Sequence, residues 1–484
     1  MITDLKPYPA MKDSGVPWLG EVPGHWDVLP NRAIFSEVND RDHPEEQMLS
    51  VTITKGVLPQ RTLLADSSKK DSSKQDKCAY KLVRPGDIAY NKMRAWQGAV
   101  GVSTDLGIVS PAYVVQRPRK SSNPRYLHHL LRTPMFAKEA ERWSYGITSD
   151  MWSLRPEHFR MIYACLPPLT EQAAIVRFLD HADRRIRKYI RAKQKLIKLL
   201  EEQKQAIIHQ AVTRGLDPTV RLKPSGVEWQ GDVPEHWEVR LLGRCLTGIE
   251  QGWSPVAAEG ELADQQWAVL TLSSVRRGVF DPTAIKPISN DAIVPGRLEV
   301  QDGDFLLTRS NTRDRVGDAC VVRGVRSKTI LCDLIYRLRV KLETMDSSFL
   351  MFQLLGPLGR GQIERNARGS SDTMPKISQG HIKSWRVLAP PIDEQRKIVE
   401  ALAAGLASIH AAIDHATREI LLLREYRTRL IADVVTGKLD VRAAAATLSE
   451  EAEEPQALDD AEDLPQAAEE EGAYDDEQGA TDEP

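Results

Sequence analysis

The sequence predicts an α/β (α+β) protein in which two globular domains are separated by a long antiparallel two-helix coiled coil. Three observations lead to this fold class. A block that opens the chain is repeated in its middle, a second block with helical character is also present twice, and the residues between the two blocks differ from copy to copy. A duplicated scaffold that carries two divergent middle regions is therefore expected.

The opening block covers residues 14–28 and recurs 211 residues later, with ten of its fifteen positions identical. It contains two matched His-Trp pairs, His25-Trp26 and His236-Trp237. A duplicated histidine suggests a catalytic site, but no carboxylate or cysteine lies at a sequence spacing that indicates a catalytic partner. The favoured interpretation is that these residues pack at the entrance of each domain.

The end block begins with PPLTEQ at residue 167 and recurs 223 residues later as PPIDEQ. Thr170 or Asp393 suits the cap of a helix, and the glutamate that follows suits its positive end. About forty residues later, Gly215 and Gly437 suit the helix ends. Each end block therefore predicts one long helix.

Apolar or small residues recur along both predicted helices at alternating steps of four and three, with Lys193, Gln203 and Glu419 as polar exceptions. A period of 3.5 residues kept over about five heptads is typical of a coiled coil. The predicted seam consists of Ile175, Leu179, Ala182, Ile186, Tyr189, Leu196, Leu200 and Ile207 in the first helix and of Ile398, Leu402, Gly405, Ile409, Ala412, Ala416, Leu423, Tyr426 and Leu430 in the second.

Forty helical residues form a rod of roughly 60 Å, at 1.5 Å per residue. Two such rods in one chain favour antiparallel pairing within that chain, which would place the two middle regions at opposite ends. The alternative is that each helix pairs with a second protomer.

The middle regions predict many short strands in the same order, because glycines alternate with β-branched runs. The predicted strands lie near 88–90, 98–102 and 107–115 in the first copy and near 305–307, 316–322 and 329–340 in the second.

Charge is segregated along the chain. The overall net charge is −3, but residues 450–484 contain 16 of the 68 acidic residues and no Lys or Arg. Residues 1–449 contain the remaining 52 acidic residues and all 65 basic residues, so they carry a net charge of +13. A basic body suits a polyanion such as DNA. The acidic tail is expected to be disordered; it is either a solvating extension or a weak internal competitor for the DNA surface.

Two polar loops in each middle region are candidates for DNA contact, residues 91–97 with 145–152 and residues 308–315 with 368–375. Arg and Lys pair with guanine edges, Asn and Gln with adenine edges, and all of them hold phosphates. The alternative interpretation is that they are ordinary polar surface loops. The candidate DNA-binding residues are Lys92, Arg94, Gln97, Thr148, Ser149, Arg309, Ser310, Asn311, Thr312, Arg313, Ser370 and Ser371.

The cysteines give no sign of a disulfide framework or a structural zinc site, because they are odd in number, scattered and without a C-x-x-C pair. Buried free thiols are expected at all of them: Cys78, Cys165, Cys245, Cys320 and Cys332.

No apolar run approaches the length that spans a bilayer, and the N-terminus has no signal pattern, so a cytoplasmic protein is expected. No phosphate-binding G-x-x-x-x-G-K-[ST] loop and no adenine-methylation motif is present. Glu202-Gln203-Lys204 fits the end of a nuclease motif only by chance, because no suitable Pro-Asp pair precedes it. No catalytic or metal-binding residue is predicted.

The chain resembles the specificity subunit of type I restriction–modification systems. The resemblance rests on G-V-x-W-x-G-x-V-P-x-H-W, on L-P-P-L-x-E-Q and on the long basic heptad helix, and it covers residues 12–442 in both copies. Pro30 stands where Leu241 continues the second opening block, which leaves the entry into the first domain open.

The resemblance implies target-recognition domains at 1–168 and 216–391, a central helix at 169–215, a C-terminal helix at 392–442 and an acidic tail at 443–484. Each domain would read one half of a bipartite double-stranded DNA target. The paired helices would act as a spacer and dock two methyltransferase subunits, which restriction subunits then join. S-adenosylmethionine, ATP and Mg²⁺ would be bound by these partners and not by this chain.

Two further hypotheses remain. The chain could be a free-standing nuclease whose site is too diffuse to see in the sequence, or a coiled-coil scaffold without affinity for DNA. Cleavage of DNA with Mg²⁺ would identify the former, and salt-dependent DNA binding would exclude the latter.

Overall fold

The structure, a computed structural model, describes residues 5–64, 77–119, 122–146, 152–227, 231–256, 258, 260, 262–289, 291–367 and 374–448. The chain divides into two units. Unit 1 comprises residues 1–192 and 419–484, and unit 2 comprises residues 193–418.

Unit 1 begins with the opening block and ends its first segment in a long helix. Its strands are β1 (Met11–Asp13), β2 (Glu21–Pro23), β3 (Asp27–Pro30), β4 (Phe35–Val38), β5 (Leu49–Thr52), β6 (Gly56–Pro59), β7 (Lys81–Val83), β8 (Ile88–Asn91), β9 (Val100–Val102), β10 (Gly107–Val109), β11 (Tyr113–Pro118) and β12 (Tyr163–Leu166). Its helices are α1 (Asn31–Ile34), α2 (Gln60–Leu64), α3 (Pro124–Leu131), α4 (Pro134–Arg142), α5 (Pro156–Phe159) and the first half of α6 (Leu169–Arg214).

Unit 2 repeats this order with additional strands. Its strands are β13 (Leu222–Pro224), β14 (Asp232–Pro234), β15 (Glu238–Leu241), β16 (Leu246–Gln251), β17 (Ala268–Leu270), β18 (Val275–Arg276), β19 (Val279–Phe280), β20 (Ile285–Pro287), β21 (Phe305–Thr308), β22 (Ala319–Val321), β23 (Thr329–Ile330), β24 (Ile335–Val340) and β25 (Arg386–Ala389). Its helices are α7 (Ser347–Leu355), α8 (Pro357–Asn366), α9 (Gln379–Ser384) and the first part of α10 (Ile392–Val435); a last helix, α11 (Arg442–Thr447), belongs to unit 1.

The two units share one sheet plan. Unit 1 has a four-stranded antiparallel sheet of order β4-β11-β8-β9, and unit 2 has the matching order β16-β24-β21-β22. In each unit a separate strand pair, β3 with β12 or β15 with β25, joins the opening block to the residues that precede the long helix. The predicted mixed α and β fold class is confirmed.

The long helices pair with each other inside each unit. In unit 1, Ile175 and Leu179 near the start of α6 share a buried cluster with Leu430 and Val434 near the end of α10. In unit 2 the order is reversed, because Ile208 and Val212 near the end of α6 cluster with Ile398 and Leu402 near the start of α10. The predicted antiparallel pairing within one chain is confirmed.

The predicted seam of α6 is correct in its first turns and at Leu200, but two of its positions lie one residue too early. Ile175 and Ile186 are buried, but Tyr189 and Leu196 are exposed. Ile190 and Ile197, each one residue later, are the less exposed positions.

The seam of α10 shifts in the same direction. Gly405 and Ala412 are exposed, whereas Leu406 is buried and Ile413 is half-buried. The burial does not drift along the helix, because Ile409, Ala416 and Leu430 are buried where they are predicted to be. A second consecutive step of four, from Leu402 to Leu406, reverses the order of the steps of three and four, so every other seam residue lies one position later than predicted.

A buried carboxylate ties the opening block of unit 1 to the start of α6. Glu171 accepts hydrogen bonds from Trp26 Nε1 at 2.9 Å and from Tyr8 Oη at 2.5 Å, and its second oxygen lies 2.8 Å from His25 Nε2. Burial and the carboxylate both raise the pKa of Tyr8 above its ordinary value, so its hydroxyl stays a donor. The predicted packing role of the His-Trp pair is correct, and its carboxylate partner comes from the end block.

Unit 2 repeats this arrangement with Glu394. Trp237 Nε1 donates to one oxygen at 3.0 Å, and His236 Nε2 lies 2.8 Å from the other. We call the Glu171 and Glu394 arrangements the carboxylate clamps. Glu394 is more exposed than Glu171, with 31% against 6% of its side chain accessible, so the clamp of unit 1 is the more deeply buried of the two.

The glutamine next to each clamp holds a capping residue. Gln172 accepts from the backbone N–H of Asn123 at 2.7 Å, and Gln395 accepts from that of Asp346 at 2.8 Å. Asn123 and Asp346 are the N-caps of α3 and α7. The repeated Glu-Gln pair therefore fixes both the opening block and the first helix of each middle region.

The two long helices begin slightly earlier than predicted and end where they are predicted to end. α6 and α10 begin at Leu169 and Ile392, so Thr170 and Asp393 lie inside the first turn and are not N-caps. Gly215 and Gly437 both have positive φ and follow the last helical turns, as predicted. A Cβ at Gly437 would collide with Pro23 and crowd Trp26, so this glycine is also required by a close approach.

Four of the five cysteines are buried free thiols, as predicted, and Cys78 is the exception because it is exposed. Burial raises the pKa of Cys165 and of Cys320 to about 12. These two thiols therefore stay protonated at neutral pH.

The segment predicted as a tail from residue 443 is helical at its start, because α11 runs to Thr447 and buries Ala445 in unit 1. Hydrophobic contacts hold this alanine in unit 1, and the acidic composition begins only a few residues later. The acidic residues 450–484 lie outside the described residues. Among the described helices, none has the length and apolar character that crossing a membrane requires.

We expect Glu171→Ala to destabilise unit 1 by about 3 kcal/mol, because a buried donor left without an acceptor costs about 1–3 kcal/mol and two are left here. Glu394→Ala should cost unit 2 less, since Glu394 is more exposed and no tyrosine joins it. Hydrogen–deuterium exchange, followed separately on peptides of each unit, measures both effects. Glu400→Ala, an exposed change on α10, is the matched control; equal effects of all three variants would contradict the prediction.

We expect acid to destabilise unit 1 before unit 2. Burial and neighbouring arginines lower the pKa of His129 to about 4, and burial lowers that of His128 well below 6.5. The unfolded chain therefore binds protons that the folded chain does not, so stability is lost as pH falls from about 6.5 towards 4. Unit 2 has Met351 and Phe352 at the matched positions.

Hydrogen–deuterium exchange at pH 7.5 and 5.0, corrected for intrinsic exchange rates, tests this. Protection of α3 should fall at pH 5.0 more than that of α7. His129→Phe, which copies unit 2, should reduce the difference, and an unchanged pH dependence in that variant would show that His129 does not cause it.

Candidate nucleic-acid interface

The first candidate loop of each unit connects the matched strands β8 and β9 or β21 and β22. In unit 1 its shape is fixed internally, because Asn91 Oδ1 accepts from the backbone N–H of Met93 at 2.9 Å and Trp96 Nε1 donates to the carbonyl oxygen of Met93 at 2.9 Å. Lys92 and Arg94 are half-buried and Gln97 is exposed. Within the described part of the chain, these three side chains have no hydrogen-bond partner and no ion-pair partner.

The matched loop of unit 2 presents a different set of side chains. Thr312 and Arg313 are exposed, and Arg309 and Asn311 are half-buried. Arg309 lies over the ring of Tyr336, 5.9 Å from its centroid. The guanidinium of Arg309 is therefore partly engaged by the fold, whereas that of Arg313 has no partner among the described residues.

Among the predicted contacts that the structure describes, Ser310 alone is buried inside the unit. It is fully buried, and its backbone bridges to Lys376. A side chain in this position takes no part in the exposed surface of the loop. The alternation of a strand-like segment explains the burial, since Arg309 and Ser310 point to opposite faces.

The segment that follows the second predicted loop contacts the first loop in both units. In unit 1 the backbone N–H of Leu154 donates to the carbonyl oxygen of Lys92 at 2.9 Å. In unit 2 the backbone N–H of Ile377 donates to that of Arg309 at 2.9 Å. A main-chain contact therefore joins the first loop to the chain that follows the second loop, and we call this contact the loop junction.

An aromatic contact reinforces this junction in unit 1. The rings of Trp96 and Trp152 are T-shaped with centroids 5.5 Å apart, a geometry that stabilises aromatic pairs. The remaining predicted contacts on the second loops, Thr148, Ser149, Ser370 and Ser371, lie outside the described residues.

An arginine outside the loops holds the first loop of unit 1. Arg132 donates to the carbonyl oxygens of Gly98 and Val100 on the loop side, the latter at 2.7 Å, and to those of Ile53 and Thr54 at 2.8 and 2.7 Å. Burial lowers the pKa of Arg132 to about 10, which leaves it charged at neutral pH.

Arg360 does the same in unit 2, where it donates to the carbonyl oxygens of Val316 at 2.7 Å and Asp314 at 3.2 Å. Sequence analysis missed both arginines, because their partners are backbone carbonyls that no side-chain pattern reveals. The only signal in the sequence was an arginine in or beside the two helices that follow the last strand of each four-stranded sheet.

The two units are similar frames that carry the same loop junction with different outward side chains. In sequence, this chain is similar to the specificity subunits of type I restriction enzymes. It is 26% identical over 209 residues to the EcoEI specificity subunit of Escherichia coli, which covers 43% of this chain and 35% of the relative. The chain thus matches about a third of that relative's length.

Longer matches exist to two other specificity subunits. The EcoKI subunit of Escherichia coli (strain K12) is 25% identical over 354 residues, and the StySPI subunit of Salmonella potsdam is 24% identical over 349 residues. Each match covers 69% of this chain and 72% of the relative. No family model matches the chain.

The fold is also found in a solved structure that concerns complex assembly and conformational transition of the type I R-M system. One of its chains superposes with a TM-score of 0.60 at 16% identity, covering 86% of this chain and 99% of that chain. The resemblance to type I specificity subunits that the sequence predicts is confirmed in sequence and in fold.

Proposed function

We propose that this chain is the non-catalytic DNA-recognition subunit of a type I restriction–modification complex and that each unit reads one half of a bipartite target. The observation that carries the proposal is the duplicated loop junction. Main-chain contacts hold the loops in the same way in both units, while the side chains that face outward differ. One scaffold with two different recognition surfaces suits two different half-sites.

The chemistry of the loops supports DNA as the ligand. Lysine, arginine and glutamine in unit 1 and arginine, asparagine and threonine in unit 2 are the side chains that contact phosphates and base edges. The net charge of +13 outside the acidic tail provides the sequence-independent attraction.

The long helices support a spacer and docking role. Both helices continue through both units. They carry exposed apolar side chains in each unit, which are available for contact with other proteins: Tyr189, Leu421 and Leu422 in unit 1, and Leu196 and Leu199 in unit 2. We propose two methyltransferase subunits as the docked partners, with restriction subunits added to them. S-adenosylmethionine, ATP and Mg²⁺ would then be bound by these partners.

Binding of the full chain to duplex DNA at several salt concentrations tests the proposal. Methylation sequencing of the host genome would supply the bipartite target for the duplex. We expect affinity to fall steeply with salt and to exceed that for random duplex at every concentration. Absence of binding would favour a scaffold, and cleavage with Mg²⁺ that one carboxylate substitution abolishes would favour a nuclease.

We expect Arg313→Ala to weaken binding by about 1–3 kcal/mol, the usual cost of losing a base-edge contact. Arg313 is a cleaner probe than Arg309, which also packs on Tyr336. The loss should disappear on duplexes in which the half-site of unit 2 is scrambled. Competition binding with singly scrambled duplexes measures it.

Arg94→Ala is the corresponding control in the other unit, because it should weaken binding only through the half-site of unit 1. Arg323→Ala removes the same charge from unit 2 at the other end of β22, where the residue is exposed. If Arg323→Ala weakens binding as much as Arg313→Ala and on every sequence, Arg313 does not read a base.

We expect the helices to set the gap between half-sites. Insertion of three heptads into α6 after Ala192 and into α10 after Arg418, where both helices pass between the units, adds about 31 Å. This is close to one DNA turn of about 34–36 Å, so the preferred gap should lengthen by about nine base pairs. Binding selection from a library of half-sites with variable gaps measures the preference.

A one-heptad insertion at the same positions is the control. It keeps the seam but displaces the half-sites out of phase with the DNA turn, so binding should weaken at every gap. An unaltered gap preference after the three-heptad insertion would show that the helices are no spacer. Circular dichroism confirms that both insertions stay helical.

A further inference from the structure

A β-hairpin in each unit places a basic residue and a glycine beside the first loop. Strands β5 and β6 are joined by a tip that ends in Lys55-Gly56, and strands β18 and β19 are joined by Arg277-Gly278. Both glycines have positive φ. We call these segments the hairpin tips.

The hairpin tips occupy equivalent positions in the two units. A Cβ added to Gly56 would contact His128 and Arg132, at the end of α3. A Cβ added to Gly278 would contact Met351 and Leu355 of α7. These helical contacts are 223 residues apart in both cases, which is the offset of the end block. The tips are therefore copies of one feature, although the sequence around them has diverged.

Each hairpin tip is joined to the first loop of its unit. In unit 1, Arg132 bridges the carbonyl oxygens of Ile53 and Thr54 in the tip to that of Val100 after the loop. Arg132 therefore fixes the distance between the first loop and the segment that carries Lys55.

The tip of unit 2 is joined more directly. The backbone N–H of Gly278 donates to the carbonyl oxygen of Ala319 at 2.9 Å, and that of Arg277 donates to Asp318 at 3.4 Å. The guanidinium of Arg277 reaches within 3.8 Å of Asp314, a residue of the first loop itself. The tip and the loop thus form one continuous surface.

The basic side chains of the tips are exposed and are not required by the turns that carry them. Lys55 and Arg276 are exposed, and 72% of the Arg277 side chain is accessible. Arg277 adopts φ +37 in a two-residue turn, where Asn, Asp or Gly is normally preferred because a Cβ is strained. The strained position thus holds a charged side chain that the turn itself would not select, which points to a role outside the fold.

We propose that the hairpin tips are a further DNA-contacting element, in which Lys55 of unit 1 and Arg276 and Arg277 of unit 2 hold DNA phosphates next to the bases that the loops face. This rests on the proposed function. Phosphates are the appropriate ligand because the tips offer charge without the amide groups that read adenine, and phosphate contacts fix the register of a protein on the duplex.

Salt dependence tests this proposal, because each phosphate contact contributes about −0.9 to the slope of log affinity against log salt concentration. Arg277→Gly removes the charge and relieves the turn, so the fold should not suffer. We expect it to reduce the slope by about one and, combined with Arg276→Gln, by about two, equally for target and random duplex. Lys55→Gln should reduce it by about one. Between 50 and 200 mM salt, the advantage of the wild type should shrink about threefold per lost contact.

The controls separate this proposal from the proposed function. Arg323→Ala removes an exposed arginine of unit 2 away from the tip and should leave the slope unchanged. If the tip variants bind like wild type while Arg313→Ala weakens its half-site, the tips do not contact DNA and the recognition function stands. If the tip variants lose discrimination between sequences at constant slope, the tips read bases and the phosphate assignment is wrong. If the wild-type chain binds no DNA at any salt concentration, the proposed function fails and this inference fails with it.

Discussion

The buried carboxylate at the start of each long helix is the constraint on which each unit depends. Glu171 and Glu394 sit in the first turn of α6 and α10, where the helix end favours negative charge, and each accepts a hydrogen bond from a buried tryptophan that is 145 or 157 residues away in the chain. The opening block therefore packs against the first turn of the long helix in each unit. The adjacent glutamine extends the same constraint to α3 or α7.

The tryptophan of each clamp also meets the end of the other helix. Gly437, after α10, packs on Trp26, and Gly215, after α6, packs on Trp237. Each unit thus combines the start of one helix with the end of its antiparallel partner. In unit 2 the chain continues from the end of α6 directly into β13, whereas in unit 1 the matching connection is a backbone hydrogen bond from Asp440 to Lys6 at 2.8 Å.

Much of this frame could be predicted from the sequence, because repeated identity and heptad spacing are properties of the chain itself. The antiparallel helices, the glycine ends and the packing of the His-Trp pairs all follow from those patterns. The exposure of Tyr189, Leu196 and Gly405 could not be predicted, since a count of alternating fours and threes does not show where two steps of four follow each other. The carboxylate partners of the histidines are equally hidden, because residues 146 and 158 positions apart are brought together only by the fold.

The two first loops were predictable in position from the matched strands, but the contacts that support them were not. The loops follow from matched strands, yet Arg132 and Arg360 act on backbone carbonyls, and Ser310 is buried by a local strand-like alternation that composition does not show. Carbonyl and N–H groups are present whatever the side chain, so a substitution at Lys92 or Arg313 leaves the junction of the loops intact. The outward side chains can therefore differ between the two units, while the clamps and the main-chain contacts are present in both.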